Sequence, residues 1–355
     1  MRSIRVFAGD VALKHIQQNV LQPTDIRIVL SAAGGPKWLS LAALDQYLFK
    51  EWLMPAQHKI SLIGTSAGAW RLAAATQSDP IAAHKRLLDG YLSQDYKTDT
   101  KPHEVALNCR AILKNMLGQE GAQQLVNHPR LHFHTIAARC KLLTKFENPM
   151  IQTVGFAAAM GANALHRAAM RPWLQRVFFH HHQAFNIPFN RSFKTHNVQL
   201  TEENVEAALA ATGAIPIAVA GVEDIPGAPP GMYRDGGLID YHLDLPIHPK
   251  NGLVLFPHYF AAPPKPGWFD KRLKWRKAAR KNFSHTVMIA PSWEFAQTLP
   301  NGRIPDLEDF YNMQDYKTRR AVWDTAVKEC QRIADDVSII HDQERWQEIV
   351  EPLPW

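Results

Sequence analysis

The chain has 355 residues, 46% of them hydrophobic, which is enough to bury a full core in one large domain or two small ones. A formal net charge of +7 and a pI near 9.2 favour an anionic partner: a phospholipid surface, a nucleic acid or an acidic substrate. Three widely separated cysteines are typical of reduced thiols in an intracellular protein and argue against a disulfide framework or a cysteine metal site.

Neither a targeting segment nor a membrane-spanning segment is expected. Residues 1–10 lack the continuous apolar core of a secretory signal. The longest uncharged stretch, residues 148–165, contains Asn, Gln, Thr, Gly and Pro, which makes it a poor spanning helix. We therefore expect a cytoplasmic protein, with peripheral contact at the inner membrane surface as its closest approach to a bilayer.

The first regular elements are a strand and a helix. Residues 26–31 form a β-branched run that predicts a buried strand, and residues 32–37 (A-A-G-G-P-K) follow it. Apolar residues at helical spacing predict a helix over residues 38–53. Pro36 suits the first turn of that helix, where an N–H is not needed.

A second strand and a second helix are joined by residues 64–68, G-T-S-A-G. Residues 59–63 before this pentapeptide predict a buried strand, and residues 69–75 after it predict a helix. Gly64 and Gly68 allow a strained turn that a Cβ would obstruct, which lifts the Ser66 hydroxyl clear of the sheet. The serine then lies at a helix N-terminus, where backbone N–H groups hold developing negative charge. This context is typical of a nucleophile elbow.

The order strand, helix, strand, helix predicts an α/β fold on a parallel sheet with right-handed crossovers. Ligands of such sheets lie beyond the carboxyl ends of the strands. Because Gly34, Gly35 and Ser66 all follow strand ends, we expect them to lie along one edge of the sheet.

Further elements are predicted along the rest of the chain. Strands are expected at residues 131–138, 252–256 and 286–290, and helices at residues 163–170, 172–180, 201–211 (with Thr201 as N-cap) and 316–335. In the run His180-His181-His182, successive side chains point in different directions, which favours a basic surface patch over a metal site. No metal ion or cofactor is expected.

Four separated pieces of the sequence resemble one known pattern. They are Gly34-Gly35-Pro36-Lys37 after the first strand, residues 64–68 after the second, residues 211–216 (A-T-G-A-I-P), and Asp235-Gly236-Gly237 about twenty residues later. In this order, over roughly residues 26–246, they resemble the patatin-like phospholipases. The resemblance implies an α/β three-layer fold with a mainly parallel central sheet and helices on both faces. It also implies a lipid acyl hydrolase with a Ser–Asp dyad.

By this resemblance Ser66 is the nucleophile and Asp235 is its base. A serine hydroxyl needs a base within hydrogen-bond reach, and a carboxylate can serve when partial burial raises its proton affinity toward the working pH. Gly236 and Gly237 allow a tight turn that brings the backbone of the aspartate close to the elbow. The expected reaction is hydrolysis of an acyl ester of the phospholipid or lysophospholipid class through an acyl-enzyme.

The same resemblance implies an oxyanion hole to which Gly34 and Gly35 contribute. Their N–H groups can point at the developing alkoxide together with the N–H of Ala67, the residue after the nucleophile. We expect Lys37 to add positive charge nearby.

The glycine loop departs from the family pattern, which reads G-G-G-x-[RK]-G. Ala33 stands at the first glycine and Trp38 at the last, and Pro36 has no N–H to donate. The loop therefore has fewer possible donors. This departure motivates an alternative function, a non-catalytic lipid- or anion-binding protein on a hydrolase-like scaffold.

A second alternative is an α/β-hydrolase with a Ser–His–Asp triad, because five histidines lie downstream of Asp235. They are His242, His248, His258, His285 and His341. Against this alternative, the elbow follows only two evident core strands, and the glycine loop directly precedes it.

One catalytic domain is expected over residues 1–355. Within it we expect a motif-bearing core at about residues 26–250, a helical cap at residues 150–190, a basic-aromatic segment at residues 265–283 and a helical C-terminal part at residues 310–355.

The basic-aromatic segment carries seven basic residues against one acidic residue over residues 268–281, with Trp268, Leu273 and Trp275 interleaved. Basic side chains with interfacial tryptophans suit an anionic membrane surface. Nucleic acid could be held by the same chemistry, and a solvated helix whose tryptophans pack inward is the alternative. With a lipid ester as substrate, the membrane is favoured over nucleic acid.

Overall fold

The computed structural model describes residues 2–183, 187–189 and 192–355. Eleven strands are distributed along the described residues. They are β1 (Ile4–Ala8), β2 (Ile26–Ser31), β3 (Ile60–Gly64), β4 (Leu131–Cys140), β5 (Leu174–His180), β6 (Thr195–Gln199), β7 (Val222–Glu223), β8 (Met232–Asp235), β9 (Leu253–Pro257), β10 (Thr286–Pro291) and β11 (Val350–Pro352).

Helices of different length connect the strands. The α-helices are α1 (Asp10–Gln18), α2 (Ala42–Tyr47), α3 (Ala67–Ala75), α4 (Pro80–Leu92), α5 (Pro102–Leu117), α6 (Gly121–Val126), α7 (Pro149–Leu165), α8 (Val205–Thr212), α9 (Gly237–Asp240), α10 (Trp293–Thr298), α11 (Asp309–Asn312), α12 (Tyr316–Glu329), α13 (Gln331–Asp342) and α14 (Trp346–Ile349). Short 3-10 helices lie at Pro23–Asp25, Gly35–Leu41, Leu142–Lys145, Arg167–Met170, Trp268–Arg272, Arg280–Phe283 and Pro300–Gly302, and a π-helix at Leu48–Trp52.

The strands form one mixed sheet in the order β11-β1-β10-β9-β2-β3-β4-β5-β6, and β8 joins it through β4 with β7 beside it. Five neighbouring strands, β10-β9-β2-β3-β4, are parallel. Antiparallel pairs join β1 to β10, β5 to β4 and β8 to β4. With helices on both faces of this sheet, the predicted α/β three-layer fold with a mainly parallel sheet is confirmed.

The parallel strands are buried along nearly their whole length, which is why they appear in the sequence as unbroken apolar runs. The predicted strands at residues 26–31, 59–63, 252–256 and 286–290 match β2, β3, β9 and β10 to within one residue at each end. In the described parts of the chain no helix is long and apolar enough to cross a membrane.

The strand β4 organises the site. Its first half pairs with β3, where Gly64 lies opposite Thr135, and its second half pairs with β8, where Asp235 lies opposite Ala137. The second half also pairs with β5, which must therefore occupy the other edge of β4. It follows that β8 continues the line of β3 beyond the carboxyl end of that strand. This arrangement brings Asp235 to the residues that follow Gly64.

The predicted helix at residues 172–180 is wrong, because these residues contain β5, which lies between β4 and β6. Val177 and Phe178 are residue types that are common in strands. Pairing with β4 on one edge and β6 on the other overrides the helical spacing of the sequence. Within the predicted helical cap at residues 150–190, the long helix is therefore α7 alone. Residues 184–186 and 190 of that range lie outside the described residues.

The helix α8 begins at Val205, four residues later than predicted. Its N-cap residue is Asn204, whose Nδ2 donates to the carbonyl oxygens of Gln199 (3.0 Å) and Pro226 (3.1 Å). These bonds hold Asn204 in a turn. The predicted N-cap, Thr201, still accepts a hydrogen bond from the Asn204 N–H at 3.3 Å, but it does so ahead of the helix.

Two other predicted helices are interrupted. The one at residues 316–335 is a pair of helices, α12 and α13, that meet at Cys330. The one at residues 38–53 is a succession of 3-10, α and π turns. Its first turn is entered from Gly35, whose φ of 55° does not belong to a regular helix.

Candidate active site

Ser66 lies in the sharp turn between β3 and α3. Its φ of 55° and ψ of −139° form a strained combination that a non-glycine residue adopts only where the surrounding structure holds it. The backbone approaches closely on both sides of the serine. A Cβ on Gly64 would lie 2.7 Å from the Cα of Ala69, and one on Gly68 would lie 2.4 Å from the carbonyl oxygen of Ala32. Both positions therefore require glycine, as in a nucleophile elbow.

Asp235, the last residue of β8, lies directly against the elbow. The Ser66 hydroxyl donates to Asp235 Oδ2 over 2.6 Å, and the Gly237 N–H donates to Oδ1 over 2.7 Å. Ser66 is only 4% exposed and Asp235 only 5%. The structure thus brings together the two residues that the sequence suggested as nucleophile and base, although 169 positions separate them.

Burial raises the pKa of the Asp235 carboxyl to about 7, against the opposing effect of the hydrogen bonds from Ser66 and Gly237. An exposed aspartate, with an ordinary pKa of about 4, is a much weaker proton acceptor. A carboxyl group that titrates near neutral pH can take up and return a proton during a reaction. Asp235 therefore has the proton affinity that a general base needs.

Thr212, at the end of α8, fixes the elbow from another side. Its Oγ1 accepts a hydrogen bond from the Ser66 N–H (2.9 Å) and donates one to the Ile136 carbonyl of β4 (2.6 Å). The Thr212 carbonyl accepts from the Gly236 N–H at 3.3 Å. A Cβ on Gly236 would lie 2.0 Å from the Ile136 carbonyl oxygen, so this turn also requires glycine. Thr212 thus connects the elbow, β4 and the Asp-Gly-Gly turn.

The glycine loop lies beside the elbow, as predicted, because both follow the carboxyl ends of the neighbouring parallel strands β2 and β3. A Cβ on Gly34 would lie 2.7 Å from the ring of Tyr259. Gly35 lines the same pocket as Ser66 and Ala67. Among the described hydrogen bonds, neither the Gly35 N–H nor the Ala67 N–H has a protein acceptor. Both groups are therefore free to donate to an oxyanion in the pocket.

Lys37 differs from the other residues expected at the oxyanion hole. It is buried, its Nζ forms an ion pair with Asp306, and it is not among the residues that line the pocket. Burial lowers the pKa of Lys37, against the opposing effect of the Asp306 carboxylate. The ammonium group holds the stretch containing Asp306 and Leu307 against the glycine loop. Its charge is thus engaged by a carboxylate instead of facing the serine.

Tyr259 and His242 form a hydrogen-bonded pair behind the glycine loop. The Tyr259 hydroxyl donates to the carbonyl oxygen of Ala33, and His242 Nε2 lies 2.8 Å from Tyr259 Oη. The Lys265 N–H donates to His242 Nδ1 over 3.0 Å, so a neutral imidazole with its proton on Nε2 satisfies all of these contacts. Burial lowers the pKa of His242 well below its usual value, in agreement with a neutral ring.

The histidines that a triad would need are engaged elsewhere. In the part of the chain that the structure describes, neither Ser66 nor Asp235 has a hydrogen bond to a histidine. The four besides His242 contact other groups: His248 the Lys281 carbonyl, His258 the Phe260 carbonyl, His285 the Ser284 hydroxyl, and His341 the ring of Trp52. Among the described residues, Ser66 is therefore paired with a carboxylate and not with a histidine.

A pocket of about 780 Å³ opens over Ser66. Its walls come from residues that are distant in the sequence, in the ranges 91–109, 213–219 and 306–314. The lining is largely aromatic and aliphatic and includes Trp70, Tyr91, Val105, Ile215, Leu307 and Phe310. A pocket of this size and lining can hold an extended apolar group with its reacting end at the serine.

Residues 268–281 do not form one helix. Two short 3-10 helices at the ends of this range flank an irregular stretch. Trp268, Lys271 and Arg272 line the pocket, whereas Trp275 is 66% exposed. The segment therefore contributes a cationic section to the pocket wall and a separate aromatic side chain to the surface.

The three consecutive histidines lie outside the pocket lining. His181 is buried, and its ring stacks on that of His132 with 4.0 Å between the centroids. Burial lowers the pKa of His181 to about 3, so this residue does not contribute to a basic surface as predicted. No group of three or more His, Cys, Asp or Glu side chains among the described residues is arranged to hold a metal ion.

Sequence reasoning missed four parts of the site: Thr212, Tyr259 and the pocket walls in residues 91–109 and 306–314. Thr212 lies inside the turn at residues 211–216, and its hydroxyl among small apolar neighbours was a usable signal. Tyr259 and residues 306–314 belong to no recognisable motif. Their contacts with the glycine loop and the pocket depend on how distant segments fold together.

The comparisons with known proteins include similarities to solved structures. No protein-family model matches the chain, and no curated protein matches its sequence. VipD from Legionella pneumophila is similar over 97% of this chain and 70% of that protein's chain, with 14% sequence identity and a TM-score of 0.39. Human GIVD cytosolic phospholipase A2 is similar over 95% of this chain and 65% of its own, with 10% identity and a TM-score of 0.33. The chain thus spans about two thirds of the length of these two proteins.

Proposed function

We propose that this chain is a serine esterase that hydrolyses acyl esters of lipids through an acyl-enzyme, with Ser66 as nucleophile and Asp235 as base. The observation that carries the proposal is the 2.6 Å hydrogen bond from Ser66 Oγ, which lines the pocket, to Asp235 Oδ2. The strained backbone of Ser66 and the raised pKa of Asp235 support it, because both are costs that a purely structural serine would not require.

The reaction uses groups whose positions are described above. Ser66 Oγ attacks the ester carbonyl carbon while its proton passes to Asp235 Oδ2. The oxyanion that forms accepts hydrogen bonds from the N–H groups of Gly35 and Ala67. The tetrahedral intermediate then collapses, the ester C–O bond breaks, and the leaving alkoxide takes the proton from Asp235 to become an alcohol. An acyl group remains on Ser66.

Deacylation repeats these steps with water. A water molecule attacks the acyl carbon and gives its proton to Asp235. Collapse of the second tetrahedral intermediate breaks the bond to Ser66 Oγ, which recovers the proton from Asp235. The products are a fatty acid and the free enzyme. An alcohol in place of water would make the same site an acyltransferase.

The substrate class follows from the pocket. Its aromatic and aliphatic lining suits an acyl chain, and Lys271 and Arg272 are available to an anionic headgroup. Phospholipids and lysophospholipids combine these two features. The ordered motifs that resemble those of the patatin-like phospholipases support the same class.

The proposal is tested by ester turnover in Ser66→Ala beside a matched control, Ser61→Ala, on the same strand β3 but outside the pocket over Ser66. We expect Ser66→Ala to lower the hydrolysis of a soluble p-nitrophenyl ester and of a phospholipid by about 10³-fold or more. We expect Ser61→Ala to keep wild-type rates. Equal turnover in Ser66→Ala and the wild type would overturn the proposal, and a complete lack of turnover in the wild type would favour the non-catalytic alternative.

A further inference from the structure

The helix α7 carries several large apolar side chains on its solvent-exposed side. Its 17 residues include no charged side chain. Met150 is 77% exposed, Val154 59% and Leu165 86%. Ile151 and Met160 are exposed on the same helix. We call these five residues the α7 face.

Two polar side chains of α7, Gln152 and Asn163, point inward, whereas an ordinary surface helix turns such side chains to solvent. Gln152 is buried, and its amide donates to the Phe146 carbonyl (2.8 Å) and accepts from the Ile217 N–H (2.5 Å). Asn163 is fully buried, and its Nδ2 donates to Asp270 Oδ1 over 2.7 Å. These contacts fix the rotation of the helix. The outward orientation of the α7 face is therefore a consequence of specific bonds.

The α7 face lies next to the mouth of the pocket over Ser66. Ile217, which Gln152 holds, is itself 44% exposed and lines that pocket. At the other end of the helix, the Asn163 carbonyl accepts from Arg276 Nη2 at 2.6 Å, so the basic-aromatic segment packs on α7. That segment lines the pocket through Trp268. Both ends of α7 are thus connected to the pocket wall.

The surroundings of the α7 face are positive. Glu147 is the only acidic residue between residues 141 and 201, and it is paired with Arg234 at 2.8 Å. Exposed lysines flank the helix: Lys141 and Lys145 before it, and Lys274 and Lys277 on the basic-aromatic segment. An apolar surface with a cationic border is complementary to an anionic bilayer. The acyl region of the bilayer would accept the apolar side chains, and its headgroups would contact the lysines.

We propose that the α7 face and the flanking lysines dock the protein on an anionic phospholipid bilayer, with the pocket mouth against the lipid. This inference rests on the proposed function, since a lipid substrate would then enter the pocket without crossing water. A second copy of the chain would also cover an apolar face, but it would bring a cationic border of the same sign to the contact.

Binding is measured on the full-length chain carrying Ser66→Ala, so that lipid is not consumed. The protein is sedimented with large unilamellar vesicles of phosphatidylcholine, with and without phosphatidylserine. The double variant Met150→Gln/Val154→Gln should bind the anionic vesicles about tenfold more weakly or worse, because two apolar side chains no longer enter the bilayer. The matched control Val11→Gln/Ile339→Gln, which changes two exposed apolar residues on α1 and α13, should bind as the parent does.

The lysines are tested in the same way. The variant Lys274→Gln/Lys277→Gln avoids the residues that line the pocket. It should lose about 30-fold in binding to anionic vesicles, from about 1 kcal/mol per lysine, and should change little on phosphatidylcholine alone. Binding that is independent of phosphatidylserine, or unaffected by Met150→Gln/Val154→Gln, would overturn the proposal. So would a dimer in light scattering that Met150→Gln/Val154→Gln dissociates, because a second copy would then cover the face.

Turnover of a soluble ester separates this inference from the proposed function. When Ser66 is retained, the variant Met150→Gln/Val154→Gln should hydrolyse a soluble p-nitrophenyl ester at the wild-type rate. Vesicle binding without any ester turnover would leave the docking inference in place and remove the esterase. Ester turnover without vesicle binding would do the reverse.

Discussion

The floor of the pocket and the α7 face depart from the usual distribution of side chains in opposite directions. At the floor, Ser66 and Asp235 are polar groups in the interior, and their hydrogen bonds are made within the protein. On α7, Met150 and Val154 are apolar groups that are 77% and 59% exposed to solvent. The protein itself supplies the hydrogen-bond partners of Ser66 and Asp235. The exposed apolar side chains of α7 leave contact with water only when another molecule covers them.

This difference separates two kinds of contribution to the proposed activity. Changes at the floor should affect every ester, soluble or in a bilayer, because they act on the bonds that are made and broken. Changes on the α7 face should affect only esters that are presented in a bilayer. Assays of a soluble ester and of a bilayer ester, carried out on the same variants, therefore separate the two kinds of contribution.

The largest effect is expected for Asp235→Asn. An amide cannot accept the Ser66 proton, so kcat on a soluble ester should fall by about 10²–10⁴-fold while the protein remains folded. The control is His285→Ala, which removes a partly exposed histidine of the triad alternative and should stay within about twofold of the wild type. Retained activity in Asp235→Asn, or a large loss in His285→Ala, would favour a base other than Asp235.

A strong pH dependence is expected for the wild type. Because burial raises the pKa of Asp235 to about 7, the basic form is lost as the pH falls through that value. The kcat/KM for a soluble ester should therefore fall about tenfold per pH unit well below pH 7 and level off above it. A profile that is flat between pH 5 and about pH 8 would contradict an essential base with this pKa.

Thr212→Val should have an intermediate effect. It leaves the buried Ser66 N–H without its acceptor, which should cost about 1–3 kcal/mol in the free energy of unfolding and lower kcat about tenfold through a misplaced elbow. Thr212→Ser restores the hydroxyl and should recover most of both losses. Urea unfolding and ester turnover measure the two quantities. If Thr212→Val and Thr212→Ser behave alike, the hydroxyl does not position the serine.

The smallest of these effects is expected for Tyr259→Phe. The ring that packs on Gly34 is retained, and the hydroxyl that donates to the Ala33 carbonyl is lost. We expect a loss of about 1 kcal/mol in the free energy of unfolding and a decrease of a few-fold in kcat, with KM unchanged. A larger effect on KM than on kcat would mean that Tyr259 acts on substrate binding instead of on the glycine loop.

The sequence predicted those parts of the molecule whose signal is local. The strands β2 and β3 and the elbow between β3 and α3 depend on unbroken apolar runs and on glycines that no other residue can replace. The pairing of Asp235 with Ser66 could be anticipated only through the resemblance of its Asp-Gly-Gly turn to a known motif, because it results from β8 pairing with β4 in line with β3.

The parts that the sequence did not predict depend on long-range contacts. Residues 172–180 have a composition compatible with a helix, and only their pairing with β4 and β6 makes them β5. The ion pair of Lys37 with Asp306 has no local signal. The apolar residues of α7 are equally compatible with a core helix. Their exposure depends on the inward bonds of Gln152 and Asn163, which the sequence pattern does not contain.

Activation of Ser66 by Asp235 is measured by the rate of labelling with a fluorophosphonate probe, followed by mass spectrometry of the labelled peptide. We expect a single adduct on Ser66 in the wild type, with a labelling rate that rises through about pH 7. In Asp235→Asn we expect labelling that is slower by orders of magnitude. Equal labelling of the wild type and Ser66→Ala, or a wild-type labelling rate in Asp235→Asn, would contradict this activation.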